Sequence, residues 1–314
     1  MSKNVSPQSL RGTSVAIITP FKRDYSLDEK IYRKHIRYLT RIKGIKCIFA
    51  NAYAGEGSAL TREERNRVLE ITMEEVRGEV LGMGAVVCDD VDEAVKRAKD
   101  VLEIGGDGIL LQAPPELLNA GTKSSVKWLK NFVKKVDIPV VLFQRRREAS
   151  ASFFLPQTLA KLVEIENVIA VKEAPFNQAQ HEADCLAIRK NRLDIAILVA
   201  SDNIIFSCMS FDSDGTLLGI GNILGPELVK LHCLVKDGAY ENAKRLWISK
   251  INPITSVIWP YIYTPSNIWG KVKWLLHLTG KLDDPIVRPP ERLPNEKEKE
   301  ELKRALLITG HLKS

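Results

Sequence analysis

A lysine standing directly after Val168, Ile169, Ala170 and Val171 has more chemistry to offer than any other residue of this chain. Four apolar residues rich in β-branched types, bounded by polar sequence, read as a buried strand. Lys172 then lies at the rim of a hydrophobic core. Burial disfavours the ammonium form, lowers the pKa and frees the amine to attack a carbonyl carbon. The plainer alternative is a surface lysine that ends a strand, because lysine is mostly exposed. Two other groups could act beside it. Arg145, Arg146 and Arg147 form one dense basic run, suited to clamping a carboxylate or phosphate bidentately, though at least one should simply point into solvent. Gly55 and Gly57 flank Glu56 in a segment whose backbone N–H groups can hold a carboxylate; a plain glycine turn is the alternative.

These residues need a scaffold, and the chain supplies a repeating one. Strand-like runs are expected at 15–19, 46–51, 80–87, 108–112, 139–143, 168–172, 195–200 and 215–220. Helical patterns separate them at 26–42, 62–76, 91–104, 123–135, 156–165, 179–190 and 202–211, and another follows at 225–237. Thr61 with Glu64 makes a capping box for the second helix. The strands read as apolar runs, which suits parallel strands covered on both faces. Eight strand–helix units predict a closed (β/α)₈ barrel. A doubly wound open sheet is the rival, but no GxGxxG follows the first strand.

The barrel is expected over 1–224, with 225–314 as its last helix and C-terminal helices packed on it. Those helices fall at 239–259, 266–279 and 295–311, punctuated by prolines that include Pro253 and Pro265. In such a barrel the active site lies at the C-terminal ends of the strands. That places Lys172 at the exit of the sixth strand, the arginines at the exit of the fifth, and Gly55 at the exit of the second. The glycines of the eighth strand, Gly215, Gly219 and Gly221, imply close approach to a ligand or to a neighbouring strand.

Composition narrows the classes. At 314 residues and 45% hydrophobic, the chain can build a large core. There is no apolar run long enough for a membrane span and no signal-peptide pattern, so a cytoplasmic protein is expected. The five cysteines are scattered, without CxxC spacing; Cys47 and Cys88 read as small core residues. The five histidines form no ligand pair, so no metal is expected. A net charge of +7 suits an anionic small molecule. It could also suit nucleic acid through Arg145–Arg147, but that reading gains nothing from Lys172 and no nucleic-acid partner is expected.

Four segments carry a family resemblance. They are Ala16-Ile17-Ile18-Thr19-Pro20-Phe21, then Gly55-Glu56 with Leu60-Thr61 and Glu63-Glu64, then Val171-Lys172-Glu173-Ala174, and Asp214-Gly215 with Leu217 and Asn222. In this order and spacing the chain resembles the dihydrodipicolinate synthase and N-acetylneuraminate lyase family of class I Schiff-base barrels. The resemblance implies that Lys172 is the Schiff-base lysine and that no cofactor is needed. It also implies that N–H groups near Ala54 and Gly55 hold a carboxylate, that Leu217 lines the pocket, and that the assembly is a homodimer or homotetramer.

The departures matter too. Ala52, Tyr53 and Ala54 stand where the family has glycine and two Thr or Ser residues. Phe143-Gln144 replaces a tyrosine–asparagine pair, and Pro115 and Glu116 fall where the synthases place a tyrosine pair. Phenylalanine has no donor or acceptor, so Phe143 cannot carry protons. Tyr53 either substitutes in the proton relay or packs as an aromatic wall. The arginine after the fifth strand is Arg145 or Arg147, with Arg147 slightly preferred by spacing. The expected function is therefore a Schiff-base lyase of a 2-oxo acid, an aldolase or dehydratase of a sugar acid with pyruvate as product or substrate. The alternatives are a barrel that binds such an acid without turnover, and dihydrodipicolinate synthesis itself.

Overall fold

The structure, a computed structural model, describes residues 5–78, 80–87, 90–149, 151–260 and 267–313. Parallel strands β1 (Gly12–Ala16), β2 (Ile45–Ala50), β3 (Leu81–Val86) and β4 (Ile109–Leu111) lead into β5 (Val140–Arg145), β6 (Val168–Ala174), β7 (Ala196–Val199) and β8 (Gly215–Leu218). Each strand pairs with its sequence neighbours and β8 pairs with β1, so the eight close into a barrel, as the alternating pattern predicts. The outer ring is α1 (Glu29–Thr40), α2 (Arg62–Val76), α3 (Val91–Ile104), α4 (Gly121–Lys135), α5 (Pro156–Leu162), α6 (Gln178–Asn191), α7 (Ile205–Asp212) and α8 (Gly221–Lys236).

Strand side chains alternate between two buried layers, as a period of two requires. Phe49, Met83, Leu110, Val141, Ala170 and Leu198 fill the barrel interior, one continuous cluster with the C-terminal helices. Ile48, Val86, Ile109, Leu142, Val171 and Ile197 face the outer ring instead. Polar ends fix the helices in place. Asp28, Thr61, Asp90 and Asn177 each cap a helix N-terminus, and Thr61 with Glu64 forms the expected reciprocal box.

Beyond α8 come α9 (Tyr240–Leu246), a π-helical turn (Trp247–Ile251), α10 (Asn252–Ile258), α11 (Ile268–Leu278) and α12 (Glu296–Thr309). Pro253 does not break the run. It falls at the start of α10, directly after the π-helical turn, where the hydrogen-bond register changes. Cys47 is fully buried, as expected of a core residue, whereas Cys88, Pro265 and Ser266 lie outside the described residues.

Two features lock this frame. The first is a buried ion pair between barrel and tail. Lys273 of α11, fully buried, donates to Glu56 of the β2 exit and to the Ile286 carbonyl at 2.7 Å. The second Glu56 oxygen accepts the Arg288 backbone N–H at 2.8 Å. The second feature is the barrel seam. Gly12 and Gly215 are register partners, and a Cβ added to Gly215 would lie 1.8 Å from the Gly12 carbonyl oxygen. The neighbouring strand, not a ligand, demands this glycine. Gly215→Ala must therefore part β1 from β8, and a loss of about 1–3 kcal/mol is expected in urea unfolding.

Candidate active site

Lys172 does not close its strand. β6 runs two residues further, to Ala174, so the lysine sits inside the wall rather than at its edge. Its register partners are Phe143 on β5 and Leu198 on β7. The side chain is 8% exposed, and that remnant opens on a cavity of about 210 Å³ at the C-terminal ends of the strands. Burial pushes the ammonium down to about 8, with Arg145 pushing the same way and Asp202 opposing. The Phe143 ring lies 4.3 Å from Nζ, which favours the ammonium by only about 0.5–2 kcal/mol. The result is an amine that loses its proton far more readily than a surface lysine.

The opposite wall comes from the β2 exit. Tyr53, Ala54 and Gly55 form a single 3₁₀ turn. Ala54 lines the cavity, and its amide lies in the first turn, where a helix leaves N–H groups without an intrahelical carbonyl. Gly55 corrects the expectation placed on it. Its N–H already donates to the Ala52 carbonyl at 3.0 Å, and it does not line the cavity. A Cβ there would meet the Ile17 carbonyl oxygen at 3.0 Å, so the glycine serves close packing against the segment just past β1.

Tyr53 stands edge-on to Phe143, with ring centroids 6.3 Å apart. Its hydroxyl donates to Gln112 Oε1 at 2.8 Å and accepts from Arg145 Nη1 at 3.0 Å. The Arg145 guanidinium also lies 5.0 Å from the Tyr53 ring centroid. Tyr53 is thus an aromatic wall whose hydroxyl orients the arginine.

Of the two candidate arginines, the structure puts Arg145 on the cavity and Arg147 outside it. The spacing that favoured Arg147 fails because β5 ends at Arg145 and a 3₁₀ turn over Arg147–Ala149 swings the chain away. Arg147 instead packs over Phe153, its guanidinium 5.9 Å from the ring centroid. Arg146 lines the cavity beside Phe176, and Leu217 lines it from β8.

Sequence reasoning passed over several residues here. Asp202, just past β7, lines the cavity and is 5% exposed. Burial pushes its carboxyl up to about 7, against the pull of Lys172. The strand-exit rule could have found it. Phe176, Trp259 and Trp269 add an aromatic roof, with the Phe176 and Trp259 rings tilted 39° to each other at 4.8 Å between centroids. A Cβ on Gly219 would lie 2.4 Å from the Trp269 ring, so this glycine admits the indole.

Behind Lys172, alternation points Gln144 and Glu173 away from the cavity into a buried polar network. His181 bonds Glu173, and Gln144 donates to Asp184 at 2.9 Å and to the Phe154 carbonyl at 2.9 Å. Burial pushes the Asp184 carboxyl up to about 7; Gln144 lowers it and Glu173 raises it again. A carboxyl raised in the folded state stabilises below its unfolded pKa, and that contribution is lost as pH rises through the folded one. Stability is therefore expected to fall between about pH 4 and 7. Asp184→Asn should flatten its share of that slope, read from urea midpoints across the range.

Comparison with known proteins gives the family and the fold. A family model described as the dihydrodipicolinate synthetase family matches residues 9–309. The 4-hydroxy-tetrahydrodipicolinate synthase of Pelobacter propionicus is 28% identical over 77% of this chain and 81% of its own length. An uncharacterised DapA-like lyase of Thermococcus kodakarensis is 27% identical over 95% of this chain and 99% of its own. The solved N-acetylneuraminate lyase of Fusobacterium nucleatum, 22% identical, superposes with a TM-score of 0.81 over 97% of this chain and 100% of its own, a likeness of fold. A closed barrel with a lysine amine buried in its sixth strand, matched by that family across nearly its whole length, belongs to the dihydrodipicolinate synthetase family.

Proposed function

We propose that the chain is a class I lyase that forms a Schiff base between Lys172 and a 2-oxo acid. One observation carries this reading: a buried amine, lowered to about 8, faces a cavity at the catalytic end of the barrel. The amine adds to the keto carbon, water leaves, and the iminium nitrogen becomes an electron sink for cleavage or formation of a bond at the neighbouring carbons. The acid's carboxylate rests on the Ala54 amide, with Arg145 held nearby by Tyr53. The reaction is an aldol cleavage or a dehydration of a sugar acid, its C–H face laid along the aromatic wall. Within this reading the protein is a cytoplasmic homo-oligomer. No helix among the described residues is long and apolar enough to cross a membrane.

The roof favours a second partner for the same chemistry. Phe176, Trp259 and Trp269 present apolar surface that suits an aromatic or alkyl aldehyde as the other half of the substrate. Borohydride reduction in the presence of pyruvate, followed by peptide mass spectrometry, tests the covalent step. A reduced adduct on Lys172 is expected, and none with any 2-oxo acid would remove the reading. A panel of sugar acids and of aldehydes condensed with pyruvate then separates the two substrate classes. An adduct without turnover across the panel would point to a binding barrel.

A further inference from the structure

We propose that Asp202 is the acid–base residue of this site, replacing the proton-carrying side chain that Phe143 cannot be. The inference rests on the Schiff-base reading of Lys172 and extends it to the proton transfers.

Iminium chemistry needs a group that gives a proton and takes one back, within reach of the keto carbon and its neighbour. Five side chains able to titrate or carry charge line the cavity among the described residues: Tyr53, Arg145, Arg146, Lys172 and Asp202. The arginines remain protonated in proteins and cannot serve. Lys172 becomes the nitrogen of the iminium. The Tyr53 hydroxyl already donates to Gln112 and accepts from Arg145, so moving its proton would break the contact that orients the arginine. Asp202 alone remains.

Its placement suits the task. β7 is the strand beside β6, and Leu198 is the register partner of Lys172, so the turn after Val199 brings Asp202 to the same cavity as the lysine, where the two charges interact. Ser201 fixes that turn by accepting the Phe176 backbone N–H at 3.0 Å. Among the described residues no side chain is seen to hydrogen-bond the Asp202 carboxyl; its own backbone N–H does, and the carboxyl lines the cavity. Lys172 from β6 acts directly on its charge, and Arg145 from the end of β5, Arg146 just beyond and Tyr53 from the β2 exit share the cavity with it. With a carboxyl near 7, both protonation states are populated at neutral pH, which is what an acid that must then become a base requires.

The steps balance. The Lys172 amine bonds to the keto carbon as the carbonyl electron pair moves to oxygen, and a nitrogen proton passes to that oxygen. Asp202, protonated, gives its proton to the hydroxyl; the C–O bond breaks, water leaves, and the iminium and the Asp202 carboxylate remain. The carboxylate then takes a proton from the carbon next to the iminium carbon. The C–H electrons form the enamine double bond and the nitrogen becomes neutral. Asp202 is protonated again and no external acid or base is consumed.

The test uses pyruvate in D₂O, where enamine formation exchanges the methyl protons and is read by NMR, alongside borohydride trapping. Wild type is expected to trap pyruvate on Lys172 and to exchange. Asp202→Asn, isosteric and uncharged, should still yield the adduct after long incubation while exchange falls by about 10²–10⁴-fold. It should also lose the limb of the pH–rate profile that Asp202 carries, a change that a packing role would not cause. Tyr53→Phe should lower exchange by less than about tenfold. Asp202→Ala is the second variant, and added acetate should restore its exchange. Exchange by Asp202→Asn within tenfold of wild type, or an Asp202→Ala variant that acetate does not rescue, would overturn the proposal. Wild type that traps but does not exchange would overturn it while leaving the Schiff-base reading intact. If wild type traps nothing, that reading fails and this one falls with it.

Discussion

Lys172→Arg and Lys172→Met are each expected to abolish borohydride trapping of pyruvate and to lower turnover by at least about 10⁴-fold. Arginine keeps the charge but offers no free amine at any usable pH. Methionine keeps the bulk beside Phe143 and removes the nitrogen. The two variants thus separate nucleophilicity from charge and from packing. Methionine should leave the barrel folded, because it removes the buried charge whose desolvation holds the Lys172 ammonium at about 8; arginine keeps a charge at that position, so its urea midpoint is read alongside its activity. In wild type, adduct formation should slow by about tenfold for each pH unit below that value, as the unprotonated amine becomes scarce. Stopped-flow trapping across pH 5 to 10 checks the slope. An adduct rate indifferent to pH over that range would argue against a free-amine nucleophile.

Lys273→Met is expected to destabilise the fold by about 3–5 kcal/mol, the cost of leaving a buried charge without its partner. Glu56 is 5% exposed and would keep only the Arg288 backbone N–H. The lysine also stands 4.2 Å from the Phe21 ring centroid, so its removal strips a contact from the β1 exit as well. The double variant Glu56→Gln with Lys273→Met should recover most of the loss, since no charge is then buried. Urea unfolding of wild type, both single variants and the double gives the coupling energy directly. A single Lys273→Met variant as stable as wild type would mean that the pair does not hold the tail to the barrel.

The barrel was legible because parallel strands covered on both faces leave a simple mark, an apolar run followed by an amphipathic stretch. The run 168–171 gave β6 its start, but its end was hidden. Glu173 and Ala174 continue the ladder with Gln144 and Arg145, and a carboxylate inside a strand becomes legible only with His181 against it. The same extension of β5 decided between the arginines: counted in twos from Phe143, Arg145 shares its face, and the strand ends before Arg147 can. Asp202 was hidden by its neighbours, because Ile204, Ile205 and Phe206 read as one helix from 202 onward, whereas α7 starts at Ile205. Trp259 and Trp269 obey no strand-exit rule. They reach the cavity from the end of α10 and from α11, remote in sequence, which only the fold brings overhead.

That overhead position has a consequence for how such a protein can change. Lys172 and Asp202, the proposed nucleophile and proton donor, stand on β6 and beside β7, while two of the three roof aromatics are supplied by residues after the barrel closes. Substitutions at Trp259 or Trp269 can therefore reshape which molecules enter without disturbing the bond-making step. On the proposed reading, reactivity and selectivity sit on separable stretches of one gene, so drift in the tail can explore new substrates while the covalent step stays as it is.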